Sequence, residues 1–382
     1  MKQLFHFFAP CPRGLEVVLA KELVALKADN VLPTDGGVAF SGSMLTMMQA
    51  NLHSRIASRV LWKLVEKAYR SEDDIFRMAR DLEWPELFAV ENTIKVNVTA
   101  VKSPLRSPEF VGLKVKDGIC DRFRLKSGAR PSVDTREPDM RIHVFLTDRM
   151  ATLYLDTSGE ALFKRGYRQD AGEAPLRENL AAGILGLTGW QPEQVLYDPM
   201  CGSGTFLIEA AMIARKIAPG LRRSFAFQQF KMHSDEAWQK LRSEARASEN
   251  NAMFAIHGSD VSSTALAHAL ENLETAGIAD TVSLKQLNVL DAKPIADAGI
   301  WLCNPPYGVR LDEKEKLALL YPQWGDVLKQ RFAGWHAYFL TGDLDLAKKI
   351  GLKASKRTVL FNGALECRLF EYELRAGSMR GG

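Results

Sequence analysis

The sequence predicts an α/β protein. From residue 176 onward it reads as a doubly wound, mostly parallel seven-stranded sheet, and two small α/β units precede it. Three observations carry this prediction. Strand and helix patterns alternate from Leu176 to Glu373, a turn with two glycines joins the first strand of that half to a helix, and the composition is globular. The chain has 382 residues, 46% hydrophobic and 25% charged. That composition excludes a disordered tail, a collagen-like fibre and a small disulfide-stapled module. No stretch approaches the ~20 apolar residues of a membrane-spanning helix, so no membrane association is expected.

The expected divisions are 1–60, 61–162 and 163–382. In the first, Leu4–Ala9 reads as a strand, and Leu15, Val18, Leu19, Leu23 and Leu26 have helical spacing. Short strands follow at Val31–Leu32 and Gly37–Phe40, around the turn residues Asp35, Gly36 and Gly37, and a helix begins at Leu45. In the second, Val60–Glu66, Thr93–Ala100, Arg141–Leu146 and Met150–Asp156 read as strands. Asp73–Leu82 and Val111–Lys126 read as helices, the latter with Val111, Val115, Ile119 and Phe123 inward and its basic residues outward. Phe163–Pro175 lacks apolar periodicity and is expected to be a linker.

The third division begins with helix Leu176–Thr188. Strands are predicted at Gln194–Asp198, Phe254–Asp260, Thr281–Leu287, Gly299–Cys303 and Trp335–Thr341. Helices are predicted at Thr205–Ile217, Ser262–Ala276, Glu313–Phe332 and Asp343–Ile350. A hairpin from Lys356–Phe361 to Glu366–Glu373 closes the sheet and adds one antiparallel strand, and residues 218–253 read as an insertion.

The five cysteines are odd in number and scattered, which predicts reduced thiols in a cytoplasmic protein and no metal site. Charge is unevenly placed. Residues 1–165 hold 25 basic and 21 acidic side chains, and the remainder holds 25 of each, so the whole +4 excess lies in the N-terminal part. Lys102, Arg106, Lys114, Lys116, Arg122, Arg124, Lys126 and Arg130 crowd one stretch, against only Glu109, Asp117 and Asp121. Such a local excess attracts phosphate backbones, but a solvated helix face is the commoner origin of a charge run unless nucleic-acid chemistry elsewhere in the chain argues otherwise.

Two motifs carry chemistry. The first is the strand end Asp198-Pro199-Met200-Cys201-Gly202-Ser203-Gly204-Thr205. It has neither the three-glycine dinucleotide fingerprint nor the lysine of a P-loop, so no pyrophosphate is its obvious occupant. Its acid suits a cationic amine. Asp260 closes the next strand, where a carboxylate can accept both hydroxyls of a ribose. Asn288 closes the third, with Asp291 close behind, where an adenine edge would sit. Together these describe S-adenosylmethionine. The second motif, Asn304-Pro305-Pro306-Tyr307, follows the fourth strand. Two prolines stiffen the backbone and remove competing donors, leaving the Asn304 side-chain oxygen and the Pro305 carbonyl as acceptors. They would hold the two hydrogens of a conjugated amine, with Tyr307 stacking on the base.

With both motifs in one chain, the sequence resembles the bacterial 23S rRNA guanine-N2 methyltransferases that carry an RNA-binding THUMP module. Gly166-Tyr167-Arg168, Ala174-Pro175-Leu176-Arg177-Glu178, Val115-Lys116-Asp117, Arg13-Gly14-Leu15-Glu16 and Gly258-Ser259-Asp260 strengthen the resemblance. It implies a ferredoxin-like unit, a THUMP domain and a Rossmann-like class I methyltransferase domain. It also implies that S-adenosylmethionine lies along residues 198–205, Asp260, Val261, Asn288, Val289, Asp291 and Asn304. Asn304, Pro305, Pro306 and Tyr307 would receive the target amine, and the basic stretch would bind 23S rRNA or a large-subunit precursor. The adenine position usually holds an acid, where this chain offers Asn288 or Asp291. Longer members fuse a second methyltransferase domain, and a stand-alone enzyme is expected here. A tRNA guanine methyltransferase, an adenine-amine methyltransferase and a non-catalytic RNA-binding assembly factor remain rival readings.

Overall fold

A computed structural model describes residues 4–168, 175–306 and 311–375. The chain divides into two compact units, each built from separated stretches. The first comprises Met1–Pro10, Ala20–Leu162 and Arg222–Glu244, and the second comprises Cys11–Leu19, Phe163–Leu221 and Ala245–Gly382.

The first unit holds β1 (Phe5–Pro10), the later part of α1 (Glu16–Ala25), β2 (Asp29–Thr34), β3 (Gly37–Gly42), α2 (Met44–His53) and β4 (Leu61–Ala68). It continues through α3 (Glu72–Arg80), α4 (Trp84–Leu87), β5 (Ile94–Ala100), α5 (Pro108–Ser127), β6 (Met140–Leu146) and β7 (Met150–Asp156). Its strands form one seven-stranded sheet in the order β2-β3-β1-β4-β7-β6-β5, antiparallel except between β5 and β6. β1 pairs with β4, Phe7 opposite Trp62, so the strands of residues 1–60 and 61–162 share a single sheet. The helix α4, with Trp84 fully buried and its indole N–H donating to the Ala79 carbonyl, is too short to leave a periodic signal in the sequence.

The second unit begins with α6 (Glu178–Thr188), β8 (Leu196–Asp198) and α7 (Thr205–Ala214). α7 stops before Ile217, the expected end, because Lys216 turns left-handed with φ 56°. The segment read as an insertion contains α8 (Asp235–Ala247), which buries Trp238, Leu241 and Ala245 at helical spacing. It supplies Arg222–Glu244 to the first unit. Next come β9 (Ile256–Asp260), α9 (Ser263–Ala276), β10 (Val282–Gln286), β11 (Ile300–Cys303), α10 (Leu311–Arg331), β12 (His336–Thr341), α11 (Leu344–Lys349) and the hairpin β13 (Lys356–Asn362) and β14 (Leu365–Glu373). The sheet order is β10-β9-β8-β11-β12-β14-β13, and β14 is its one antiparallel strand, as the sequence predicts.

The centre of this sheet is fixed by aromatic packing on one face. The Trp301 ring meets Tyr197 edge-on at 5.5 Å and Phe332 at 4.7 Å, joining β8, β11 and the segment after α10. These pairs contribute on the order of 1 kcal/mol each beyond the area they bury. They hold the ends of β8 and β11 side by side, where the two sequence motifs begin.

Candidate active site

Parallel pairing sets the site. Asp198 on β8 stands opposite Gly258 on β9, and Asp260 at the end of β9 stands opposite Gln286 on β10. On the other side, Tyr197 of β8 stands opposite Trp301 of β11. The carboxyl ends of four adjacent strands therefore deliver Asn288, Asp260, Asp198 and Asn304 to one edge of the sheet. That edge is where open α/β sheets bind ligands.

The glycine turn is held from beneath. The Cys201 N–H donates to the Ser259 carbonyl at 3.0 Å, and the Gly204 N–H donates to the Cys201 carbonyl at 2.8 Å. Asn272 of α9 donates to the Ser203 carbonyl at 3.1 Å. Gly202 and Gly204 adopt φ 52° and 82°, a region that a Cβ disfavours. A Cβ built on Gly202 would meet no protein atom within 4 Å, so open space lies against the backbone there. Thr205, Phe206, Leu207 and Ile208 start α7 as a fully buried run.

Two acids flank this space. Asp198 is buried and accepts only the Met200 N–H, at 3.2 Å, among the hydrogen bonds of the described residues. Burial pushes its carboxyl well above the usual carboxylate range, and the nearby charge of Asp260 pushes it further. Asp260 ties the turn to the next helix, accepting the Gly202 N–H at 3.0 Å and the Ser262 N–H at 2.9 Å. Neither acid forms an ion pair with a described residue. A buried carboxylate without a cation is costly, which is the reason the Asp198 carboxyl is pushed toward its neutral form.

The other candidate positions are less uniform. Asn288 caps a short 3-10 turn, Val289–Asp291, by accepting the Leu290 N–H at 3.0 Å. Val289 is buried in the aromatic core and Val261 is exposed. Asp291 is also exposed and lines a cleft on a face of the sheet, together with His257 and Lys285. Asn304 is half-buried, Pro305 buried and Pro306 exposed, and the Tyr321 hydroxyl of α10 donates to the Pro306 carbonyl at 3.2 Å. Tyr307 lies outside the described residues. Cys201 and Cys303 are buried, and burial pushes both thiols upward, as expected for apolar packing residues and not for nucleophiles. All five cysteines are free thiols.

A buried ionic network beside the turn was not foreseen. Arg165 lies against Glu209 of α7 at 3.3 Å, and the Tyr167 hydroxyl donates to the same carboxylate at 3.4 Å. Arg168 faces Glu178 at 3.6 Å and donates to the Thr205 hydroxyl at 2.6 Å and to the Leu176 carbonyl at 3.0 Å. The run Arg165-Gly166-Tyr167-Arg168, basic and aromatic in a stretch read as linker, was its only sequence signal.

The basic stretch of α5 is partly neutralised by the protein's own acids. Lys114 pairs with Asp73, Lys116 with Asp117, Arg124 with Asp121, and both Arg122 and Lys126 with Glu83. Asp73 and Glu83 lie some forty residues away in sequence. Lys102, Arg106 and Arg130 have no ion-pair partner among the described residues.

Comparison with known proteins decides the family. A model described as the RMKL-like methyltransferase domain matches residues 165–371, a THUMP domain matches 69–156, and an RlmL ferredoxin-like domain matches 6–61. The chain belongs to the RMKL-like methyltransferase family. It is 40% identical over 370 residues to a provisionally named RNA methyltransferase of Synechocystis sp., covering 96% of each chain. It is also 40% identical to the ribosomal RNA large subunit methyltransferase K/L of Shewanella amazonensis, covering 99% of this chain and 54% of that one. The chain thus spans about half the length of the K/L relatives. A provisionally named methyltransferase, SMU.472, solved in complex with SAH, superposes with a TM-score of 0.89 at 32% identity, covering 98% and 99% of the two chains. Among the described residues no helix is long and apolar enough to cross a membrane, and no three His, Cys, Asp or Glu side chains gather to hold a metal ion.

Proposed function

We propose that this protein transfers a methyl group from S-adenosylmethionine to the exocyclic N2 amine of a guanine in 23S rRNA. The observation that carries the reading is the alignment of Asn288, Asp260, Asp198 and Asn304 at four adjacent strand ends. Family membership supplies the reaction class, and the names of the K/L and Synechocystis relatives support RNA as substrate.

The residues fit the cofactor's parts. The backbone at Gly202 faces open space that a side chain would obstruct, and the buried, cation-less Asp198 suits an ammonium. Asp260 keeps lone pairs for ribose hydroxyls after accepting its two backbone N–H groups, because a carboxylate offers about four acceptor sites. The Asn288 side-chain oxygen serves its own turn, which leaves its amide nitrogen to meet the adenine ring. When bound, the cofactor supplies an electrophilic methyl group on sulfur. The Asn304 oxygen and the Pro305 carbonyl accept the two hydrogens of the guanine amine and aim its lone pair, and Tyr307 provides the stacking face. Catalysis is chiefly positioning. The methyltransferase reading needs no thiol nucleophile.

Of the eight candidate basic residues, Lys102, Arg106 and Arg130 are the ones with no carboxylate partner among the described residues, which leaves them available to RNA phosphates. The other five basic side chains must exchange a carboxylate for a phosphate to contribute.

The test is incubation of the purified protein with labelled S-adenosylmethionine and unmodified 23S rRNA, tRNA or DNA, followed by mass spectrometry of the nucleosides. N2-methylguanosine in 23S rRNA alone is the expected result. The same product in tRNA transfers the reading to a tRNA enzyme, and methyladenine overturns the base assignment.

A further inference from the structure

Every parallel crossover of the second sheet but one carries a full helix. The connection from β8 to β9 uses α7, that from β9 to β10 uses α9, and that from β11 to β12 uses α10. The chain from β10 to β11 must pass back over β9 and β8 on the opposite face from α7 and α9, because parallel crossovers are right-handed. It does so through residues 287–299 with only the 3-10 turn Val289–Asp291. On this face α10 and α11 cover β8, β11 and β12, where the aromatic core lies. Over β9 and β10 no helix of the described residues takes their place, and an open cleft of about 900 Å³ remains.

The cleft mixes polar side chains with apolar ones such as Leu287 and Ile295, where a buried sheet face would be wholly apolar. Its floor carries His257 and Ser259 from β9 and Ser283 and Lys285 from β10, with the Ser259 hydroxyl bonded to Tyr197 at 2.8 Å. Its rim carries Lys293 and Arg331. Arg331 is held in place by the Leu290 and Ala292 carbonyls, which accept from Nη1 at 2.8 and 3.1 Å. Lys285 and Lys293 are exposed and pair with no carboxylate among the described residues. One acid, Asp291, faces these three cations. The contrast with α5 is informative, since there the cations are largely matched by local acids.

We propose that this cleft is a second phosphate-binding subsite, which holds the backbone of RNA nucleotides flanking the target. The inference rests on the RNA-methylating reading above. Three fixed or exposed cations, the exposed Ser283 hydroxyl and an imidazole match phosphodiester oxygens, while the Ser259 hydroxyl is buried and already bonded to Tyr197 and the Pro199 carbonyl. The cleft also adjoins the cofactor-side turn, because Leu287 and Asp291, at either end of that turn, line it. A strand seated there would run beside the strand-end site.

The test compares the unaltered protein with Lys285→Gln/Lys293→Gln in RNA-binding titrations from low to moderate salt. SAH binding by calorimetry serves as the check on folding. Loss of two phosphate contacts is expected to weaken RNA binding by about tenfold and to make the log–log salt slope shallower by ~1.5, with SAH affinity unchanged. Lys285→Arg/Lys293→Arg is expected to keep both affinity and slope. An unchanged slope in the Gln variant, with normal RNA binding by the unaltered protein, overturns the subsite and leaves the function intact. Failure of the unaltered protein to bind RNA overturns both. As an independent readout, a photo-cross-linking residue at Ser283 is expected to capture RNA, and capture of a second copy of the chain overturns the assignment.

Discussion

The two sheets of this protein treat charge in opposite ways. In the first unit, α5 carries five basic residues, and all five find carboxylates from the same unit. In the second unit, Asp198 and Asp260 sit at a strand edge with no cation among the described residues, although Arg165 and Arg168 lie nearby and are bound to Glu209 and Glu178. A charge already answered within its own unit mainly serves the fold. An acid left unanswered where burial makes its charge expensive is, in the function proposed above, the place reserved for a cationic ligand group.

The largest effect is expected where an answered charge is broken. Glu209→Ala removes the carboxylate that both the buried Arg165 guanidinium and the Tyr167 hydroxyl meet, and should destabilise the protein by about 3–5 kcal/mol in chemical denaturation, because breaking a buried ion pair from one side is heavily penalised. A loss under 1 kcal/mol would show that solvent reaches the pair and that the contrast between the units is overstated.

Next comes the target-amine loop. Asn304→Ala should lower the methyl-transfer rate by roughly a hundredfold or more while SAH affinity stays within about twofold, since loss of a single positioned hydrogen-bonding group costs of this order. Full activity in this variant would remove Asn304 from the site.

The unanswered acids give a pH signature. Burial, with Asp260 beside it, raises the Asp198 carboxyl, so in the ligand-free protein this group favours its protonated form. Its contribution to stability is therefore present at low pH and lost as pH rises through the raised value. A cationic ligand group reverses the preference. The increase in Tm on adding S-adenosylmethionine should accordingly grow as pH rises from the ordinary carboxylate range toward neutrality. An increment independent of pH would mean that Asp198 does not receive the ammonium.

The smallest effect is expected on α5. Lys116→Gln/Arg122→Gln/Arg124→Gln should flatten the salt dependence of RNA binding less than Lys102→Gln/Arg106→Gln/Arg130→Gln does, because the first three are already paired. Salt slopes measured side by side settle the order, and equal slopes would show that ion pairing on this helix yields readily to phosphate.

Much of the second unit was legible because its information is local. A strand, an acid, two glycines and a helix follow one another within residues 196–214, and Asn304-Pro305-Pro306 sits directly on the end of β11. The seven strands and the antiparallel position of β14 follow from the same alternation. What the sequence hid depends on partners far along the chain. Glu83 quenches Arg122 and Lys126 from about forty residues away, and Glu209 meets Arg165 from 44 residues away. α8 had a readable stripe in Trp238, Leu241 and Ala245, but its polar surroundings masked it. No periodicity could reveal that Leu15 fills the space a side chain on Gly183 would occupy, within 2.3 Å of the position of its Cβ.

The interleaving of the two units has a consequence for synthesis. Residues leave a ribosome in order, at roughly 5–20 per second. The first unit lacks Arg222–Glu244 when Leu162 emerges, and that piece arrives about 4–16 seconds later at this pace. Cys11–Leu19, by contrast, emerges early and waits for α6 to be made. Neither unit can be finished before the other has begun, so a nascent chain halted near residue 165 exposes unfinished surfaces of both. No single cut in the gene separates two self-sufficient products.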